Sequence, residues 1–225
     1  MKKLMLVGAA AVAVTVMPAV VLLALLGLAG TAIACAPDVG TGALAPAAPV
    51  PAAARAWVAI THMACPALPQ SWIAAVMAQE SGFRPDAYAY DANGGTWGLF
   101  QINATIWQQT YGAPWSADLN GNGVWDVKDP RIHAAVAGRY LCARLDGVRH
   151  IRAQHPDWPA TRQLSELDAL VVAHNAGESR LASYPAIPAT TAAYIRDVRE
   201  RMAAWSTPSA TTPHPQAVTA RCALP

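Results

Sequence analysis

The chain has 225 residues, enough for one sizeable core once its ends are set aside. It carries 16 Lys and Arg against 14 Asp and Glu, and setting aside Lys2 and Lys3 leaves 14 against 14. A neutral body with no basic stripe points away from nucleic acid as a partner.

Lys2 and Lys3 precede an uncharged stretch from Leu4 to Pro37, with Val20 to Leu28 too apolar for a surface. As one helix it would span on the order of 50 Å, more than a bilayer core requires. Pro18 divides it. The positive start places the N-terminus in the cytoplasm and everything after it outside. Three fates are open. The segment is an uncleaved anchor, or a signal peptide cut after Ala32-Ile33-Ala34, or a lipoprotein leader ending at Cys35. Its length favours an anchor over residues 1–34. The rest of the chain then lies on the outer face of a bacterial cytoplasmic membrane, or is secreted if the segment is cleaved. Residues 35–55 are rich in Ala and Pro, with Asp38 the one charge between Pro37 and Ala54, and read as a linker.

The folded domain is expected over residues 56–205. Trp72 to Ala78 is strongly apolar and reads as a helix, with Gln70 or Ser71 near its start and Gly82 just past its end. Glu80 falls in its last turn. Burial and the negative end of the helix dipole both oppose ionisation there, so its pKa is expected to rise. A carboxyl protonated near neutral pH can donate to a glycosidic oxygen. The loop that follows holds Tyr88, Tyr90 and Trp97, then Gly98-Leu99-Phe100-Gln101. Flat aromatics such as Trp97 suit the apolar faces of sugar rings, and glycines let the backbone approach a bulky ligand. A small hairpin fits residues 86–96. Asn103 is expected to cap a short helix around Thr105 to Gln109. Trp107, Tyr111 and Trp115 either line a groove or pack.

Asp118 to Asp129 follows the twelve-residue calcium-loop pattern. Asp118, Asn120, Asn122, Asp126 and Asp129 place oxygens at loop positions one, three, five, nine and twelve. Gly123 stands at six, and the Val124 carbonyl at seven. Asp129 is shorter than the usual Glu. The alternative is an Asx-rich turn. Calcium here would be structural, and no cofactor is expected for catalysis.

Pro130 opens a helix to about Leu145. His133, His150 and His155 have no metal-ligand spacing and read as surface residues. Leu164, Leu167, Leu170, Val171 and Ala173 recur at helical spacing and lead into His174-Asn175-Ala176-Gly177. The last helix runs from Thr190 to Trp205, with Tyr194, Ile195, Val198 and Met202 on its apolar face. Residues 206–225 are Pro/Thr-rich and read as a flexible tail. The four cysteines allow three pairings, with free thiols as the alternative.

Four ordered elements resemble the soluble-type lytic transglycosylases (SLT domain) of the lysozyme-like superfamily. They are Glu80-Ser81-Gly82, then Gly98-Leu99-Phe100-Gln101 with Phe where Met is usual, then Ala173-His174-Asn175-Ala176-Gly177 with His in place of Tyr. The fourth is the closing segment with Thr191, Tyr194 and Ile195. The resemblance implies a mainly α, lysozyme-like helical domain with a saccharide cleft. It implies Glu80 as the catalytic carboxyl, Ser81, Gln101, Asn175 and Tyr194 at the substrate, and the Tyr194 hydroxyl close to Glu80. A role needing a phenol does not transfer to His174. The resemblance also implies a Cys65–Cys142 disulfide, and some members have a similar calcium loop.

The implied activity is cleavage of the MurNAc-GlcNAc β-1,4 bond of peptidoglycan with closure of a 1,6-anhydro ring, Glu80 acting as acid and then base. The alternatives are a muramidase that hydrolyses the same bond, with Asp86 or Asp91 as second carboxylate, and a non-catalytic wall-binding module. The implied partners are peptidoglycan glycan strands, the membrane through the N-terminal segment, and a secretion or conjugation apparatus.

Overall fold

The computed structural model describes residues 42–91 and 94–208. The segment over residues 1–34, Cys35, Cys222 and the tail beyond Pro208 lie outside the described residues. Among the described residues no helix is long and apolar enough to cross a membrane.

Alanine is the strongest helix former, and the Ala-rich stretch read as linker proves helical at its end. Helix α1 spans Ala52–Ala64, starting directly after Pro51. The residues before it are also packed: Ala48 and Val50 are buried, and Arg55 donates to the carbonyls of Ala45, Pro46 and Ala48. Leu44 forms an isolated bridge with Ser206, supported by Ala45 N–H to Trp205 O at 2.8 Å and Thr207 N–H to Ala43 O at 2.9 Å. Residues 42–55, expected as linker, are therefore packed on the domain. Ser206 and Thr207, expected as tail, join the same packing. Composition missed both because the partners come from opposite ends of the chain.

Helix α2, Gln70–Ser81, is the central helix. Trp72, Ile73, Ala74, Ala75, Val76 and Met77 are all buried, as suits a helix that is apolar all round. It packs between α1 and the last helix, α7, Ala189–Trp205. Gly82 stops it at φ 59°, a left-handed cap that glycine adopts without strain. The chain then forms a small antiparallel sheet of β1 (Tyr88–Ala89), β2 (Thr96–Trp97) and β3 (Ile102–Asn103). Tyr88 lies opposite Trp97, and Thr96 opposite Asn103. The expected hairpin is present, and β3 extends it. Helix α3, Ala104–Tyr111, follows, and the Asn103 side chain accepts from Ile106 N–H at 2.8 Å.

Helix α4, Pro130–Gln154, is longer than expected. Nothing breaks it at Leu145, because Val148 and Ile151 continue its apolar face. Gly147 sits where a Cβ would come within 2.8 Å of Glu178 Oε1. Its N-terminal half packs on α1 at close range. A Cβ on Gly138 would meet Thr61 O at 2.7 Å, and Thr61 Oγ1 donates to Ala134 O at 3.1 Å. One turn further along α4, Cys142 is joined to Cys65, with Cα atoms 5.4 Å apart. Helices α5 (Pro159–Gln163) and α6 (Glu166–Ala176), then a 3-10 turn at Glu178–Leu181, complete the domain. Ser165 and Asp168 form a capping box at the start of α6. The mainly α class expected from the sequence is the class observed.

Candidate active site

The end of α2 carries the site. Glu80 follows six buried residues, yet its own side chain keeps 16% exposure at the helix end. Two donors reach its Oε1. The Tyr194 hydroxyl of α7 lies at 2.5 Å, and His174 Nε2 of α6 at 3.0 Å. Packing of α2 against α7, and α7 against α6, sets these distances.

His174 is the member that sequence reasoning left without a role. Burial favours its neutral form. The hydrogen bond and charge of Glu80, and then Tyr140, outweigh burial and push the ring up to about 9. On its far side Nδ1 lies 3.3 Å from the Tyr140 hydroxyl. Arg144 Nε donates to the same oxygen at 3.3 Å, and Arg144 Nη1 to Glu178 Oε1 at 3.0 Å. Burial alone would raise Tyr140, but the charge of His174 and the donors of Arg144 lower it. Tyr194 is raised well above its ordinary range by burial and by the neighbouring Glu80, so it stays a neutral donor. The motif that contains His174 was the available signal. No local pattern marks Tyr140, which reaches the site only through helix packing.

A groove of about 480 Å³ adjoins this chain of contacts, lined by Ile106, Gln109, Arg139, Tyr140, Arg144 and Glu178. A groove of similar size, about 490 Å³, lies between Leu164, Tyr184, Ile187 and Ile195, and it includes none of the residues bonded to Glu80.

The other expected site residues fall into two groups. Trp97 is half-buried at the centre of an aromatic patch. Tyr88 stacks on it at 4.6 Å, with Trp115 at 6.5 Å and Trp125 at 6.3 Å. Lys128 Nζ lies 4.4 Å from the rings of both Trp97 and Trp125. Tyr88, Tyr90 and Trp125 are exposed, so flat apolar surface faces solvent here. Ser81, Gln101 and Asn175 are engaged with the protein instead. Ser81 is buried, and its hydroxyl faces Met77 O and Leu99 O, tying α2 to the loop that bears Gly98. Gln101 sits at φ 48°, with both amide protons directed to Ala87 O and Gly98 O and its oxygen accepting from Thr96. Asn175 Oδ1 accepts from Thr191 Oγ1 at 2.6 Å, and the Glu80 contact belongs to its neighbour His174. Ser81 and Gln101 thus support the loops around the site, while Asn175 is exposed beside it.

The expected surface histidines also need correction. His150 is exposed, but His133 is fully buried. Burial pushes its pKa down to about 4. Its Nδ1–H donates to Val127 O at 2.9 Å, and Nε2 accepts from Phe100 N–H at 3.2 Å, so the neutral ring staples the Gly98 loop to α4. Trp107 stacks on this ring and is buried. Tyr111 donates to Asp126 Oδ2 at 2.7 Å, and burial with Asp126 raises it to about 12. His155 stacks on Trp158 at 3.8 Å.

In the Asx-rich loop, Asp118 Oδ1 accepts from Asn122 N–H and Oδ2 from Gly123 N–H. Asn120 and Asn122 direct their amides to Asp129 Oδ2 at 3.5 and 3.1 Å, while Asp129 Oδ1 caps α4. Asp126 turns inward, with Oδ2 bound by Tyr111 and Leu119 N–H. Its Oδ1 is, among the described residues, the buried carboxylate oxygen without a partner. No three His, Cys, Asp or Glu side chains among the described residues gather as a metal cage. The donor types and the unpartnered Asp126 oxygen fit a hard cation, whereas the hydrogen-bonded arrangement is that of an Asx turn.

No curated protein matches the chain. Residues 58–195 match the family model of the transglycosylase SLT domain, well over half of the chain, and they include Glu80, His174 and Tyr194. The chain belongs to the transglycosylase SLT-domain family.

Proposed function

We propose that this protein is a peptidoglycan lytic transglycosylase that cleaves the MurNAc-GlcNAc β-1,4 bond and leaves 1,6-anhydro-MurNAc ends. The observation that supports it most is the single carboxyl at the end of α2, with Tyr194 and His174 both directed at Oε1. Among the described residues nothing else bonds to this carboxyl, so Oε2 is free to meet a ligand. Protonated Glu80 gives its proton to the glycosidic oxygen as the C1–O bond breaks. The substrate's own N-acetyl oxygen holds the positive charge that develops at C1. Glu80, now a base, takes the proton of the C6 hydroxyl as that oxygen bonds to C1, and no water enters. Asp91, a candidate second carboxylate for hydrolysis, accepts from Gly95 N–H at 2.9 Å within the hairpin turn, which favours the lyase.

The test is digestion of purified cell wall in ¹⁸O-labelled water, with mass analysis of the ends. Wild type should yield anhydro ends without heavy oxygen. Glu80→Gln should lose activity by about 10²–10⁴-fold while keeping its melting temperature. Heavy oxygen at new muramoyl ends would make the enzyme a muramidase, and no cleavage at all would leave a wall-binding module.

The domain acts, in this reading, on glycan strands outside the cytoplasmic membrane, tethered by residues 1–34, where a secretion or conjugation apparatus would need a local opening in the wall. Calcium is the ion read for the 118–129 loop, with Asp118, Asn120, Asn122, the Val124 carbonyl, Asp126 and Asp129 as its holders. It would supply a clamp between this loop and α4. Excess calcium should raise the melting temperature, and Asp118→Ala should erase the rise, because an ion bound only by the folded state stabilises that state. A melt indifferent to calcium would leave the Asx turn alone.

A further inference from the structure

Glu80 and His174 lie 94 positions apart, yet Nε2 and Oε1 meet at 3.0 Å in a place where the imidazole side chain is 8% exposed. The groups that face the ring come from every element packed around it. Helix α2 supplies Glu80, and α4 supplies Tyr140 and Arg144. From α7 come Tyr194, on the same Glu80 oxygen, and Arg201, whose guanidinium is held by Gln79 and acts on Tyr194. The 3-10 turn supplies Glu178.

The far side of the ring is held by the protein. A guanidinium only donates, so the Tyr140 oxygen accepts from Arg144, and when the ring is charged its other lone pair meets His174 Nδ1–H. Glu178 anchors the Arg144 head and keeps it on Tyr140. The charged ring carries a proton on each nitrogen, and Nδ1–H is held by Tyr140. The mobile proton is the one on Nε2, and it faces Glu80.

We propose that, within the acid/base cycle read above for Glu80, His174 holds the proton that Glu80 delivers. The step balances. The Nε2 proton passes to the Glu80 carboxylate and leaves a neutral ring. Glu80 turns about its last torsion and passes the proton to the departing glycosidic oxygen, which takes the electron pair of the broken C1–O bond. A lone pair of the C6 oxygen forms the new bond to C1, and its proton goes to Glu80 and back to Nε2. His174 touches no substrate and is a positioning residue acting through Glu80.

The resting charge of the ring agrees with this. Burial opposes the imidazolium, but Glu80 and then Tyr140 carry it to about 9, so the ring is charged near neutrality. The family's tyrosine at this position would not ionise near neutral pH, so the behaviour is this chain's own. The inference rests on the lyase reading and is tested so that the two can fail separately.

The experiment uses the full chain in detergent micelles with ¹⁵N-labelled histidine, and cell wall as substrate. In the wild type both ring nitrogens of His174 should be protonated at pH 7, and the ring should titrate together with the alkaline limb of kcat/KM. In His174→Gln that limb should move below neutral pH, with kcat down about tenfold or more and KM little changed. His174→Tyr should recover stability but not the alkaline limb. A neutral His174 ring at pH 7, or an unmoved limb in His174→Gln, would overturn the proposal. A normal anhydro product from an enzyme with a neutral ring removes this inference alone. Absence of product from wild type removes the activity and this inference with it.

Discussion

At the scale of single residues, the site is a matter of which donor reaches Oε1 of Glu80. Tyr194 does so from one helix and His174 from another, and neither distance depends on local sequence. The imidazolium also ties stability to pH. Its ring titrates near 6.5 when unfolded and at about 9 when folded. Between those values the native state holds a proton that the unfolded chain has lost. The contribution of His174 is therefore complete below pH 6.5 and disappears as pH rises through about 9. At about 1.4 kcal/mol per pH unit, the loss is on the order of 3 kcal/mol. Denaturant melts at pH 6, 7.5 and 9 should show this decline, and His174→Tyr should flatten it. Equal slopes in both proteins would mean that the ring is not charged in the folded state.

At the scale of elements, the loop after β2 depends on an approach so close that only glycine fits. Gly98 stands at φ 79°, and a Cβ there would lie 2.3 Å from the His133 ring. That ring cannot retreat, because Val127 O and Phe100 N–H hold both of its nitrogens and Trp107 stacks on it. Gly98→Ala should cost about 2–4 kcal/mol, combining an unfavourable φ with overpacking. Thermal melting measures it, and a melting temperature within a degree of wild type would contradict the packing described. The sequence offered Gly98 as part of a glycine-rich element that lets the backbone approach a bulky ligand. The close neighbour at Gly98 is instead a buried histidine, which no spacing rule could announce from 35 residues away.

Over the whole molecule, α1 and α4 are fastened by the Cys65–Cys142 bridge across 77 positions. A loop of that length removes about 4 kcal/mol of unfolded-state entropy in the chain-entropy treatment, or about 10 °C of melting temperature. Reductant should lower the melting temperature by that order, and the Cys65→Ser, Cys142→Ser double variant should match the reduced wild type. A variant as stable as the oxidised protein would show that the bridge contributes nothing. The same large-scale packing brings both ends of the described chain together. Leu44 pairs with Ser206, so the stretch read as linker is part of the domain.

Local patterns carried most of the helices. An apolar run ended by Gly82, the Asn103 cap, Pro130 at a helix start and the periodic face of residues 164–173 are statements about near neighbours, which periodicity and capping express directly. They also placed Glu80 at a helix end and Tyr194 on an apolar face, while the family resemblance implied the Tyr194 hydroxyl beside Glu80. Tertiary packing decided what those residues meet. It turned Ser81 and Gln101 toward the protein, bonded Asn175 to Thr191, buried His133, and assembled Glu80, His174, Tyr140, Arg144 and Glu178 from four separate elements. The reason is physical. A cap or an apolar face is satisfied within a few residues of itself. The charge on a buried imidazole depends on groups that only the folded chain brings within hydrogen-bonding distance.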